Sequence, residues 1–262
     1  MELNQSELVA QLKALKLSGM LLTLTARQRE AEVGQWGFSE FLGRLLEDEI
    51  ERRAQSQLAQ RIKKGGLNPA LTLEGFDWNF NPQINRQQIM RLASGDYLRQ
   101  HTNVLIVGPT GTGKSRLASG LAHEACRQGY SVLFVSTHKM LLHLLGGRAD
   151  QSLERRIGIY TKPDLLVLDD FGLKALEAPG PEDLYEVIAS RHGVGSIVLT
   201  SNRAPQEWPQ IFADPLLASA GLDRLCDHAE TVVITGRSYR AEGSRAGINP
   251  SQSPQLEKEK KN

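Results

Sequence analysis

The chain has 262 residues, 40% hydrophobic and 23% charged, an ordinary composition for a folded globular protein. Its 31 Lys and Arg against 30 Asp and Glu leave a net charge of +1, which excludes a global field as the means of capturing nucleic acid or membrane and leaves only local patches. No apolar run approaches the roughly 20 residues of a membrane span, no basic stretch followed by an apolar one opens the chain, and Cys126 and Cys226 read as buried thiols of a reducing, cytoplasmic compartment.

At roughly 100–200 residues per domain, one large domain with a small appendage is expected. Residues 1–66 read as a small all-helical domain. Ser6 is placed to cap a helix carrying Leu8, Leu12 and Leu15 at helical spacing. Ser18-Gly19 breaks the pattern, and Leu21, Leu22 and Leu24 lead into a polar stretch ending near Gly34. A longer helix begins at Ser39, bears Phe41, Leu42, Leu45, Leu46, Ile50, Leu58 and Ile62, and stops at Gly65-Gly66, where glycine ends helices readily. Residues 67–102 form a connector with the aromatic segment Phe76-Asp77-Trp78-Asn79-Phe80 and a helix over 85–97.

From residue 103 the pattern changes. Short apolar runs stand at Val104-Leu105-Ile106-Val107, Val132-Leu133-Phe134-Val135, Leu165-Leu166-Val167-Leu168, Ser196-Ile197-Val198-Leu199 and Thr231-Val232-Val233-Ile234. Helical segments over 114–128 and around 139–145 fall between them. Continuous apolar strands alternating with helices indicate a parallel, five-stranded sheet covered on both faces. The core is placed at 103–240, and the polar residues 241–262 are read as a disordered tail.

Gly108-Pro109-Thr110-Gly111-Thr112-Gly113-Lys114-Ser115 fits G-x-x-x-x-G-K-[ST] between a strand and a helix, the context that motif requires. Its glycines let backbone N–H groups face a phosphate, and the helix N-terminus adds partial positive charge. Lys114 is expected to reach the β- and γ-phosphates of ATP, and Ser115 to ligate Mg²⁺. Asp169 and Asp170 end the third apolar run, and the carboxyl ends of parallel strands border the ligand crevice. Asp169 is expected to hold Mg²⁺ through water, and Asp170 to orient or deprotonate the attacking water. Thr200-Ser201-Asn202 ends the fourth run. Asn202 could hydrogen-bond the γ-phosphate or place the water, with Thr200 as the lesser candidate. The six histidines show no metal-ligand spacing. The tryptophans read as packing residues, with Trp78 a candidate neighbour of the adenine. No N-K-x-D segment reads guanine.

These motifs together resemble an AAA+ ATPase. The stretches 41–53, Phe76-Asp77-Trp78, Leu168-Asp169-Asp170-Phe171-Gly172, Leu199-Thr200-Ser201-Asn202-Arg203 and Gly236-Arg237-Ser238-Tyr239-Arg240 bring the match closer to the IstB-like group, the transposition helper ATPases of bacterial insertion sequences, which are similar to DnaC-type helicase loaders. The resemblance spans about residues 3 to 240. It implies an ATPase that oligomerises on double-stranded DNA and presents that DNA to a partner transposase, with an arginine of one subunit completing the site of the next. Arg224 aligns with that element, Arg203 is a second candidate of more structural character, and Arg240 a third. Aspartate stands at 170 where AAA+ proteins usually carry glutamate, which implies slow or assembly-stimulated hydrolysis. The usual helical lid after the fifth strand is not expected. Duplex binding rests on the resemblance, with Arg44, Arg52, Arg53, Lys63 and Lys64 as candidate phosphate contacts. By charge alone, the interleaved Glu47, Asp48, Glu49 and Glu51 fit a solvated helix laced with ion pairs. A DnaC-like loader of a replicative helicase is the alternative reading.

Overall fold

A computed structural model describes residues 4–212 and 214–239. Arg240 and the tail at 241–262 lie outside the described residues, as does most of the region where a lid would follow the fifth strand. The chain divides into two compact units between Lys63 and Lys64.

The first unit is helical. It contains α1 (Gln5–Ala14), α2 (Ser18–Gly34) and α3 (Phe38–Lys64). The cap of α1 is Asn4, not Ser6: its side chain accepts the Ser6 N–H while Glu7 reaches back to the Asn4 N–H, a capping box that needs an acceptor one residue outside the helix. Leu12, Met20, Leu24 and Leu45 form the buried centre, flanked by Leu8, Leu17, Leu21 and Phe41. The start of α2 has no capping side chain of its own. Glu49, buried on α3, supplies one by accepting the N–H groups of Gly19 at 2.6 Å and Met20 at 3.3 Å. This close approach requires glycine at 19, because a Cβ there would stand 2.6 Å from the Asp48 carbonyl oxygen.

In the second unit, α4 (Arg86–Ala93) and α5 (Asp96–Arg99) precede β1 (Val104–Val107). The single helix expected over 85–97 is thus two. Gly95 breaks it at φ +82, a conformation cheap only for glycine. Leu67, Leu73, Phe76, Ile84, Ile89 and Leu92 of the stretch 67–102 are buried. The chain continues through α6 (Lys114–Arg127), β2 (Val132–Ser136), α7 (Thr137–Ala149), α8 (Leu153–Thr161), β3 (Leu165–Phe171), α9 (Gly180–Arg191) and β4 (Ser196–Ser201). A 3₁₀ turn (Pro205–Ile211), α10 (Pro215–Cys226) and β5 (Glu230–Val233) complete it.

All strand pairs are parallel, in the order β2-β3-β4-β1-β5. The five-stranded parallel sheet read from the apolar runs is therefore the one observed. The inner strands β1 and β4 are buried at every position. Edge strand β5 is not, and its Val233 is largely exposed. The other edge, β2, donates the Phe134 N–H to the Gly65 carbonyl at 2.8 Å, which occupies part of an otherwise open ladder. Buried Asn103 ties the base of the sheet. It accepts the Ile197 N–H at 2.9 Å and donates to the Leu225 carbonyl at 3.0 Å.

The third strand does not stop at Leu168. Leu168 pairs with Leu199 and Phe171 with Ser201, so Asp169 and Asp170 together oppose the single residue Thr200. This is a β-bulge, with Asp170 at φ +56. Aspartate visits that left-handed region at a cost of roughly 1 kcal/mol. Buried Phe171 anchors the far side by packing edge-on against Trp208, centroids 5.0 Å apart.

Candidate functional site

The loop after β1 curls at the carboxyl end of the sheet and opens into α6. Gly108 has φ +151, and a Cβ there would stand 2.0 Å from the Ile234 carbonyl oxygen, so only glycine lets the loop start beside the exit of β5. Gly113, left-handed at φ +101, is the N-cap of α6, and the helix dipole and the first-turn N–H groups lie at the loop. The Lys114 Nζ donates to the carbonyls of Gly108 at 2.8 Å and Pro109 at 2.7 Å. A phosphate oxygen is a charged acceptor and makes a stronger partner for an ammonium than a carbonyl does.

A pocket of about 200 Å³ opens over this loop. Residues 110–116 form its floor, and Asp170 and Asn202 reach it from the ends of β3 and β4. The bulge accounts for Asp170: an extra residue re-aims a side chain at the sheet end. Phe76, Phe80 and Tyr239 supply an aromatic wall. Phe80 and Tyr239 meet edge to face at 4.8 Å, and the Arg237 guanidinium sits 5.9 Å from the Phe80 ring. Asn81, buried and lining the same pocket, donates to the carbonyls of Thr112 at 3.1 Å and Arg237 at 3.4 Å. The Tyr239 N–H donates to the Gly111 carbonyl at 2.9 Å.

This aromatic wall was missed from sequence. Its signal is the Phe-x-Trp-x-Phe spacing ahead of the sheet. Trp78 meets the Phe76 ring at a tilt of 59°, centroids 4.8 Å apart, and carries Arg86 on its face; Phe76 and Phe80 line the pocket and Trp78 does not.

Asp169 is half-buried and does not line the pocket; its Oδ1 accepts from the Thr200 hydroxyl at 2.5 Å. The oxygen donors at the carboxyl end of the sheet, the Ser115 hydroxyl and the carboxylates of Asp169 and Asp170, suit Mg²⁺, a hard cation that keeps several waters and takes one or two carboxylates with substrate phosphates. No cluster of three acidic, His or Cys ligands occurs among the described residues, and such a site needs none.

The candidate arginines lie elsewhere. On α10, the Arg224 Nη1 donates to the Ala220 carbonyl at 2.9 Å, and its guanidinium lies 5.4 Å from the Tyr185 ring; it does not line the pocket of its own chain. The Arg203 Nε donates to the Gly172 carbonyl at 2.9 Å, a bond within the fold. In the helical unit, Arg53 pairs with Glu49 at 2.6 Å and Arg44 sits 5.6 Å from the Trp36 ring. Arg52, Lys63 and Lys64 are exposed.

A family model described as IstB-like ATP binding protein matches residues 10–247. The chain belongs to that family. It is similar to an insertion-sequence ATP-binding protein of Mycobacterium tuberculosis, 41% identical over 230 residues, which are 87% of this chain and 92% of the relative. It is also similar to one of Bacillus thuringiensis subsp. berliner, 32% identical over 240 residues, 92% of this chain and 96% of the relative. Among solved structures it resembles the replication initiator DnaA bound to AMPPCP and single-stranded DNA, with a TM-score of 0.55 and 23% identity, over 65% of this chain and 51% of that one. DnaI also gives a TM-score of 0.55, at 21% identity, over 63% of this chain and 90% of that one. The IstB-like core thus has the AAA+ P-loop fold. No helix among the described residues is long and apolar enough to cross a membrane.

Proposed function

We propose that this IstB-like chain is a Mg²⁺-dependent ATPase that assembles on duplex DNA and assists a partner transposase. The observation that carries the chemistry is the convergence of the phosphate loop, Asp170 and Asn202 on one pocket beneath an aromatic wall. The loop N–H groups and Lys114 hold the phosphates, and the rings of Phe76, Phe80 and Tyr239 take the base. Mg²⁺, held by Ser115 and Asp169, would supply charge neutralisation on the phosphate oxygens. Asp170 orients a water in line with the γ-phosphorus and accepts its proton. The Asn202 amide donates to a γ-phosphate oxygen. In-line displacement leaves ADP and inorganic phosphate.

The positive charge needed as the phosphoryl group transfers is not supplied by Arg224 in the same chain. In our reading, Arg224 of a neighbouring copy supplies it, so hydrolysis waits on assembly. Membership of the IstB-like family and likeness to insertion-sequence ATP-binding proteins support the transposition role. Backbone and shape recognition of the duplex fits exposed Arg52, Lys63 and Lys64.

Sedimentation of the purified chain with a duplex, with and without ATP and Mg²⁺, tests this reading. Large complexes that need both duplex and nucleotide, and that Lys114→Ala abolishes, are the expected result. A chain that stays monomeric in every condition overturns the assembly role and turns attention to a helicase partner.

A further inference from the structure

Residues 197–199 of β4 are Ile, Val and Leu, the usual content of a parallel strand buried on both faces. Thr200 follows them and is also fully buried. A hydroxyl at such a position costs free energy unless it is hydrogen-bonded. This one uses both of its capacities on the bulge opposite it. Its proton goes to Asp169 Oδ1 at 2.5 Å, and its oxygen accepts the Asp170 N–H at 3.0 Å. One side chain therefore fixes the carboxylate of the first acidic residue and the backbone of the second, the one at φ +56.

We infer that Thr200 is a positioning residue for the acidic pair. By donating to Oδ1 of Asp169 it fixes the orientation of the carboxylate that would hold the Mg²⁺ water shell. By accepting the Asp170 N–H it holds the left-handed bulge that presents the second carboxylate to the pocket. Residues that hold a metal ligand in place rank with the ligands themselves in effect, typically 10–100-fold in metal affinity or activity. The inference rests on the ATPase reading above. It is distinct from a contact between Thr200 and phosphate, since the hydroxyl is committed to the two aspartates.

The test uses the full chain as wild type, Thr200→Val, Thr200→Ala and Thr200→Ser. A fluorescent ATP analogue is titrated in EDTA and then across a Mg²⁺ series, and ATP turnover is resolved into kcat and KM. Valine keeps the shape without the hydroxyl, and serine keeps the hydroxyl. The Val and Ala variants should bind nucleotide in EDTA within about twofold of wild type, need about tenfold more Mg²⁺ at the midpoint, and lose about 10–100-fold in kcat at little change in KM. The Ser variant should stay within about threefold of wild type on every measure. Thermal melts of each variant check folding, and if Val disrupts the strand the Ala and Ser pair decides. Wild-type Mg²⁺ midpoint and kcat in the hydroxyl-free variants overturn the inference. So does a Ser variant as impaired as they are, because packing would then be what matters. A wild-type chain that binds no nucleotide overturns the ATP reading itself, and the Thr200 role with it, before any substitution is compared.

Discussion

Arg191 is 1% exposed and makes five hydrogen bonds to main-chain carbonyls. Its Nη1 donates to Tyr160, Thr161 and Pro163 at 3.0, 3.2 and 2.8 Å, and its Nη2 to Asp164 and Ser196 at 3.0 and 2.8 Å. Two of these acceptors are the last residues of α8, whose terminal carbonyls have no partner within the helix. The side chain thus caps α8 and clamps the start of β3 to the start of β4. Burial pushes its pKa down to about 10, which still leaves the guanidinium charged at pH 7. Five bonds from a charged donor, three of them sharing the two hydrogens of Nη1, at up to about 1.5–3 kcal/mol each, would total a sum comparable to a domain's entire net stability of about 5–15 kcal/mol. The desolvation of the charge therefore offsets a large part of that total. The expected loss for Arg191→Met is about 3–5 kcal/mol, the scale of leaving buried partners uncompensated. Arg191→Lys, with three donors in place of a planar fork, should lose about 2 kcal/mol. Urea unfolding of the full chain, followed by tryptophan fluorescence and by far-UV circular dichroism, measures both. A loss below about 1 kcal/mol for the methionine variant would mean that water takes over the carbonyls, and the clamp would be refuted.

Three further outcomes are expected. Asp170→Asn should bind ATP as wild type does and hydrolyse it about 10²–10⁴-fold more slowly; single-turnover hydrolysis near the wild-type rate would remove Asp170 from the water-orienting role. Phe80→Ala should raise the ATP Kd roughly tenfold and leave the affinity for inorganic tripolyphosphate unchanged, and calorimetry showing equal loss for both ligands would take the aromatic wall away from the base. In the helical unit, Arg27 donates to Asp48 at 2.9 and 2.7 Å, and this pair, helped by Thr23, lowers the Asp48 pKa from 3.8 to about 2. A carboxyl depressed on folding contributes its full stabilisation above its unfolded pKa and loses it as pH falls through the folded value. Thermal melts should therefore show stability falling between about pH 4 and pH 2, with a shallower fall in Asp48→Asn; identical slopes would contradict the assignment.

Much of the second unit is legible in the sequence because parallel strands buried on both faces have few alternatives to aliphatic runs. Val104–Val107 stands as read, and the glycine spacing at 108–113 is dictated by backbone geometry no other residue adopts cheaply. The bulge is not legible. Leu-Leu-Val-Leu followed by two aspartates has the pattern of a strand that stops, and only the partner strand shows that pairing resumes at Phe171. The pocket wall is hidden for a related reason. Phe76 and Phe80 belong to a segment without helical or strand periodicity, and Tyr239 joins them only through the fold. In the helical unit the alternation of charge on α3 is plain, but it does not reveal that Glu49 turns inward to cap α2, because that depends on how closely Gly19 lets two backbones approach.

The contact of Asn81 with the Arg237 carbonyl joins residues 156 positions apart. Closing a loop of that length costs an unfolded chain about 4–5 kcal/mol of entropy. A nucleotide seated between Phe76, Phe80 and Tyr239 would act at this seam as a removable staple, adding RT ln(1 + [L]/Kd) to the stability of the closed state. The entrance and the exit of the sheet domain would then fray together or not at all, and release of product would loosen both ends of the core in one event.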